Sequence, residues 1–316
     1  MVSCSRSKII LSFSAIYFVW GSNYLAMRVA VDTTPPFLTM ALRFFLASLL
    51  LALVAGPGRF KSLGVRQIRN ALVVGMLLVG MGSGPIAWAM LQVPTGIAAM
   101  IAASVPVWFV LFEKLLKGDS GLRGLGWAGI FVSTAGVILL IGGNSANRFG
   151  AAPLVPLLTI VLACLLWAFG SIWGTVLDKP ADNRVDVSIQ MMGGALCNLV
   201  FSLPMGEWQN LSAMTVGVNF FMVLTYLVVF GSILVFLAFN FLIRNVGAGL
   251  VSTHSYVNPV VAVTLGWFFL GETVDALMVG ASVMILAGVA LIKLGSRTPG
   301  NIAVEQGAAA LEKAPL

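Results

Sequence analysis

The sequence has 316 residues, 59% of them hydrophobic and only 9% charged, with 34 Gly, 20 Phe and 8 Trp. Soluble domains carry about 25% charged residues, so this composition excludes a water-soluble globular protein and makes lipid the solvent for most of the chain. The formal charge of +7 comes from basic residues scattered in ones and twos beside apolar runs, a pattern that argues against a nucleic-acid surface and marks them as topology signals.

A helix needs about 20 mostly apolar residues to cross about 30 Å of hydrocarbon. Apolar segments are predicted in chain order over 9–31, 36–54, 71–91, 95–116, 124–141, 154–177, 187–205, 216–243, 249–270 and 276–294. The fold class expected is therefore an all-α integral membrane protein of ten spans. Arg6 and Lys8 ahead of Ile9 to Val19 imitate a secretory leader, but no small-residue cleavage site follows and the apolar run continues to Val31, so this segment is read as the first span. Gln92, Val93 and Pro94 alone separate the third and fourth spans, which makes those two antiparallel neighbours.

With the N terminus in the cytoplasm, every loop Lys and Arg except Arg28 and Arg148 falls on the cytoplasmic side, and Arg43 lies within the second span. The positive-inside rule then predicts an inner-membrane protein with both termini cytoplasmic. Residues 295–316 mix small and polar types without a long apolar run, as expected of a disordered cytoplasmic tail. Cys4, Cys164 and Cys197 have no disulfide or metal spacing, and no cofactor or metal is expected.

The chain repeats itself. When Thr95 to Asp119 is set under Ala248 to Glu272, Gly96 meets Gly249, Pro106 meets Pro259, Gly118 meets Gly271 and Asp119 meets Glu272 at one constant offset. Ala135, Gly136 and Val137 match Ala287, Gly288 and Val289 after a one-residue slip, and Trp20 and Trp167 stand in the first spans of the two halves. Two five-span units, 9–142 and 154–294, follow. Because five is odd, the second enters the membrane upside down, which makes an inverted-topology repeat and predicts alternating access around a midplane site.

WGSNYLAM in the first span, MALRFFLASLLL with its lone Arg in the second, a central Pro in the fourth and ninth, and the terminal Gly-Asp and Gly-Glu pairs resemble the drug/metabolite transporter superfamily, EamA-domain branch. The resemblance covers about residues 11–294. It implies a ten-helix fold with a central cavity that exports amino acids or other small metabolites, and it leaves the substrate open.

Charges inside hydrocarbon are costly and invite functional readings. Arg43 could take a substrate carboxylate or phosphate bidentately, or it could brace neighbouring helix carbonyls. His254, the one histidine, shares a helix face with Asn258 and could carry a proton, bond a substrate or be satisfied by a neighbouring helix. Trp20, Asn23 and Tyr24 form one stripe, and Trp167 with Ser171 repeats it, as aromatic walls with a few polar groups would. Trp88, Asn240 and Tyr256 are weaker binding candidates near mid-span. Pro106 and Pro259 each remove a backbone donor and are read as hinges. Gly80, Gly82 and Gly84 spell GxGxG, but no strand precedes them, and close helix packing is the reading.

Asp32, Glu113, Asp119, Glu207, Glu272 and Asp275 all fall at or near span ends. With one histidine and no acid in the middle of a span, the chain lacks an acid, base, metal or nucleophile constellation, and an enzyme is not expected. Any proton coupling would run through His254 or the end carboxylates. The expected partners are lipid and a small-molecule substrate, with Arg43 on a carboxylate and His254 with Asn258 on an amine or hydroxyl. The rival readings are a carrier of phosphorylated or cationic drug-like compounds, and a membrane scaffold or lipid-processing enzyme.

Overall fold

The computed structural model describes residues 6–118, 124–143, 153–209, 217–246 and 248–295, so the tail expected to be disordered lies outside the described residues except for Gly295. The first half comprises α1 (Arg6–Val31), α2 (Pro36–Ala55), α3 (Val65–Gly75), α4 (Met81–Ala89), α5 (Thr95–Ala102), α6 (Val105–Lys117) and α7 (Gly124–Gly143). The second comprises α8 (Leu154–Val176), α9 (Asn183–Ser202), α10 (Val218–Val228), α11 (Val235–Asn245), α12 (Ala248–Val251), α13 (His254–Leu270) and α14 (Ala276–Gly295). Nine helical stretches among the described residues are long and apolar enough to cross a membrane, and Val257–Leu270 is a shorter apolar helix that completes ten.

The outer surface of the bundle is apolar, and polar side chains within the spans turn inward, where they are set in a mainly apolar core. Phe18, Leu53, Phe131, Ile138, Phe221 and Phe268 face outward, whereas Thr39, Arg43, Ser48, Asp186, Gln190 and Asn198 are buried. Small residues set the helix spacing. A Cβ on Gly82 would lie 2.7 Å from Cε3 of Trp167, one on Gly80 would lie 2.5 Å from Cβ of Cys197, and one on Gly84 would collide with the Asn198 amide. The GxGxG run is a packing surface, as read from the sequence.

Helix pairing follows the repeat. The first span packs on the ninth and eighth (α1 on α13 and α11), and the sixth packs on the fourth and third (α8 on α6 and α4). The second and seventh spans (α2 with α9) and the fifth and tenth (α7 with α14) pair along their lengths. Exchanging the halves converts the first set into the second and returns the last two pairs to themselves, which is the contact pattern of a pseudo-two-fold axis. Gly136 and Gly288, matched in the repeat, both face the partner helix, and a Cβ on Gly136 would lie 3.0 Å from the Ala281 carbonyl oxygen. Across α2 and α9, Ser48 Oγ donates to the Ser188 carbonyl at 2.8 Å and Ser188 Oγ donates to the Ser48 carbonyl at 2.9 Å.

The third and eighth spans each contain a π-turn, Met76–Gly80 between α3 and α4 and Val229–Leu234 between α10 and α11. The two begin at the offset that aligns the fourth and ninth spans. A π-turn widens the helix and frees backbone acceptors, and such turns concentrate at functional places.

Several expected boundaries move. The third span begins at Val65 and the seventh at Asn183, both ahead of the apolar runs that announced them. Their first turns are polar, and Asp182 supplies the missing signal for the seventh by capping it, its carboxylate accepting the Arg184 amide at 2.9 Å. The fourth span breaks at Ala103–Ser104, just before Pro106, but the ninth breaks at Ser252–Thr253, well ahead of Pro259, which sits inside α13.

Candidate substrate-binding cavity

A cavity of about 100 Å³ lies at the centre of the bundle. Trp20, Asn23 and Tyr24 from α1, Arg43 from α2, Trp167 from α8 and His254, Asn258 and Pro259 from α13 line it, together with Phe236 from α11. These sequence candidates come together because the first span packs between the eighth and ninth. Cys164 and Ser83 also line the cavity and were not singled out in the sequence, where nothing distinguishes them from packing residues; Ser255, whose carbonyl Pro259 deprives of its helical donor, lines it too.

Arg43 is 2% exposed and engaged mainly by the eighth-span π-turn. Its Nε donates to Ser232 Oγ at 2.8 Å and its Nη2 to the Gly231 carbonyl at 2.6 Å, while Nη1 reaches only the Met40 sulfur at 3.7 Å. Asn23 Nδ2 donates to the same Gly231 carbonyl at 3.2 Å, and Asn23 Oδ1 has no partner among the described residues. The π-turn thus supplies the acceptor that orients both side chains. None of the ion pairs among the described residues includes Arg43, so its charge faces the cavity without a carboxylate.

His254 Nδ1 donates to the Val251 carbonyl at 2.8 Å, which leaves Nε2 as the acceptor of the neutral ring. With its amide nitrogen turned toward the backbone, Asn258 donates to Tyr17 O at 2.9 Å and to Ile16 O and His254 O at 3.2 Å. Asn258 therefore ties α13 to α1, and its donors are spent there. Ser255 Oγ, one residue beyond His254, has no partner among the described residues.

Trp20 is the centre of an aromatic cluster. Its ring lies 5.4 Å from Trp167, 5.8 Å from Phe236, 5.2 Å from Phe239 and 4.9 Å from His254, and Trp167 also meets Phe236 at 5.6 Å and Phe239 at 5.8 Å. Phe239 lines a second space of about 430 Å³, so the cluster forms the wall between the two. Ser171 and Asn240 belong to that second space rather than to the central cavity, and the Ser171 hydroxyl is turned back to the Trp167 carbonyl at 2.8 Å. Trp88 lies elsewhere again, against Asp32, Pro36 and Glu207 at the far end of the bundle. Ser171 and Asn240 stand one turn beyond Trp167 and Phe236 on the same helix faces, so about 6 Å of rise carries them past the aromatic wall, whereas Trp88 is turned away from the cavity-lining Ile86 by two residues of rotation. The Tyr256 side chain lies outside the described residues.

Acidic groups occupy more structural positions than the sequence suggested. Glu272 closes the fourth span's N-terminus, accepting from Thr95 N at 2.7 Å, Thr95 Oγ1 at 2.9 Å and Gly96 N at 3.1 Å. Glu207 accepts from Phe37 N at 2.9 Å and Leu38 N at 2.7 Å at the start of α2; burial pushes its carboxyl up, and those two amides pull it partly back. Asp186 was missed in the sequence: it is not at mid-span, but it is fully buried in the first turn of α9 and paired with Lys179 at 3.2 Å and with Arg244. Hydropathy placed it outside because the polar start of α9 hides the helix boundary. Burial lowers the Lys179 ammonium, and Asp186 opposes that shift.

A lipid-facing helical bundle with an internal inverted repeat and a small, aromatic-walled central cavity is the architecture of a multi-pass membrane transporter. Residues 7–142 and 154–294 each match the EamA-like transporter family. A 284-residue alignment, covering 89% of both chains, is 36% identical to "Uncharacterized inner membrane transporter YedA" of Escherichia coli strain K12. "Uncharacterized transporter YvbV" of Bacillus subtilis is 25% identical over 306 residues, 95% of each chain. A solved crystal structure with 24% identity superposes with a TM-score of 0.62 over 92% of this chain and 98% of that one, a likeness of fold. The chain belongs to the EamA-like transporter family, within the drug/metabolite transporter superfamily, and is a multi-pass inner-membrane transporter.

Proposed function

We propose that this transporter exports amino acids or related small metabolites by alternating access around the central cavity. The observation that carries the reading is Arg43, a buried cation lining the cavity with no carboxylate partner among the described residues. A charge left so in a low-dielectric site is stabilised by an anionic group of the solute. Nη1 of Arg43 takes the carboxylate, Nε2 of His254 accepts from an ammonium or hydroxyl, and Trp20, Trp167 and Phe236 enclose the apolar part. Asn258 holds the first and ninth spans together rather than reading the solute.

The matched π-turns and the breaks in the fourth and ninth spans supply places where the halves can rock. The asymmetry of basic loop residues supports a cytoplasmic location for both termini, and in that orientation the end that carries Lys179 and Arg244 is the cytoplasmic one.

The test is flux of a labelled amino-acid panel from proteoliposomes, with and without an imposed pH gradient, against empty liposomes. Arg43→Gln retains donors for Ser232 and Gly231 but removes the charge. The expected result is saturable amino-acid flux that falls at least about tenfold in this variant, the size of a lost charge-assisted bond. Flux restricted to phosphorylated or cationic compounds, or indifferent to Arg43→Gln, overturns the proposal. Gradient-driven accumulation assigns proton coupling, with His254 as its first candidate.

A further inference from the structure

The space of about 430 Å³ beyond the aromatic wall is larger than the central cavity, and its lining repeats that cavity's plan. Counting along the chain from Trp20 and from Trp167, Asn23 corresponds to Gly170, Tyr24 to Ser171 and Arg43 to Gln190, and the offset that joins the two π-turns pairs Gly231 with Leu78. Gly170, Ser171, Gln190 and Leu78 all line this second space. It is the counterpart, under the pseudo-two-fold axis, of the corner built around Arg43.

The position that should hold the cation holds Gln190, but two cations arrive from elsewhere. Lys179 and Arg244 line the space, and both pair with the single carboxylate of Asp186, which leaves one positive charge in excess. Asp178 and Asp182, on either side of Lys179, engage Gln67 and Arg59 and do not line the space. Two buried amides there are incompletely satisfied among the described residues: Asn240 Nδ2, a donor, and Gln190 Oε1, an acceptor. Buried polar atoms without partners are rare in folded proteins and mark places where a ligand or water completes the set.

We propose that this vestibule is a second solute site that takes the carboxylate of a small anionic or zwitterionic molecule, with Lys179, Arg244 and Asn240 Nδ2 as donors and Gln190 Oε1 as the acceptor for an ammonium. It deepens the transport reading by giving the solute a docking place on the Lys179 side before the aromatic wall opens, but it requires nothing of Arg43.

The experiment measures trifluoroacetate binding by fluorine NMR line broadening to Arg43→Gln protein in phosphatidylcholine nanodiscs, with trifluoroethanol as the uncharged control. Using this background removes the central cation, so failure of the central-cavity reading is seen in the flux assay and failure of the vestibule is seen here. The expected result is saturable broadening by trifluoroacetate alone, weakened about tenfold both by adding Asn240→Asp, which sets a carboxylate against the ligand, and by adding Lys179→Met. Asn240→Asp leaves the Asp186 ion pairs in place, so its effect is separate from any folding defect of Lys179→Met. Absence of saturable binding, or binding unchanged by Asn240→Asp, overturns the proposal. Loss of binding when phosphatidylglycerol is included assigns the same chemistry to a lipid headgroup and also overturns it.

Discussion

Arg43 and Gly231, on the second and eighth spans, are joined by a 2.6 Å hydrogen bond from Nη2 to a carbonyl inside the π-turn. This contact couples the one mid-membrane arginine to an irregular backbone segment whose counterpart in the other half, Met76–Gly80, begins at the aligned position. Removing the fork leaves that carbonyl and Ser232 short of donors in a buried place. Arg43→Met is expected to cost about 1–3 kcal/mol of stability as well as transport, whereas Arg43→Gln retains more of the stability. Melting of the purified variants in one detergent checks it, and equal melting temperatures for the two would refute the bracing role.

Gly231→Ala tests the same corner from the backbone side. A Cβ there would collide with Asn23 Oδ1 and lie 3.1 Å from Arg43 Nη2. The added methyl must displace both side chains, and overpacking of this kind costs about 1–3 kcal/mol. Flux should fall with melting temperature, and wild-type flux in Gly231→Ala would show that the Arg43 geometry is dispensable.

Ser48 and Ser188 exchange hydroxyl-to-carbonyl bonds across the α2 and α9 pair. Each alanine substitution should cost about 0.5–1.5 kcal/mol, and the double variant should differ from the sum because the two act on one contact. A double-mutant cycle on melting that sums within error would mean the bonds are independent.

Glu272 accepts three hydrogen bonds at the start of α5. Glu272→Ala should destabilise by about 0.5–2 kcal/mol, as loss of a helix cap does, and Glu272→Gln should recover part of it. Detergent melts in which the two variants are indistinguishable from the parent would remove the cap from the account.

Asp182 yields a pH dependence. Burial pushes its carboxyl up, but the Arg184 amide and Arg59 outweigh that and hold it below the usual carboxylate range. A depressed folded pKa means stabilisation that is present above the unfolded value of about 4 and lost as pH falls through the folded one. Asp182→Asn should therefore melt below the parent at neutral pH and converge with it in acid; a gap independent of pH would contradict this sign.

The span count, the repeat and the lipid-facing composition were legible along the chain, because hydropathy sums over about 20 residues and tolerates error at any one of them. Trp20 and Trp167 were legible as equivalent residues in the first spans of the two halves, but that their rings meet at 5.4 Å comes from the structure alone. Asn258 shows the limit. Its place beside His254 was visible, but its amide is turned to backbone carbonyls of the first span, a direction that no spacing on the ninth encodes.

Asp186 shows a second limit. In sequence it precedes an apolar run and reads as loop; in the fold a cap at Asp182 starts the helix early, and Lys179 and Arg244 converge on the carboxylate from two other segments. Ser171 was grouped with Trp167 by helix face and Asn240 by its mid-span position, and both belong to the vestibule, because one turn of rise carries a side chain past the aromatic wall while leaving it on the same face. The sequence by itself determined how many times the chain crosses the membrane and that its halves are inverted copies, properties carried by local composition. Only the tertiary structure decided which buried polar groups share a cavity, because helix rotation, π-turns and glycine contacts are set jointly by packing across spans far apart in the chain.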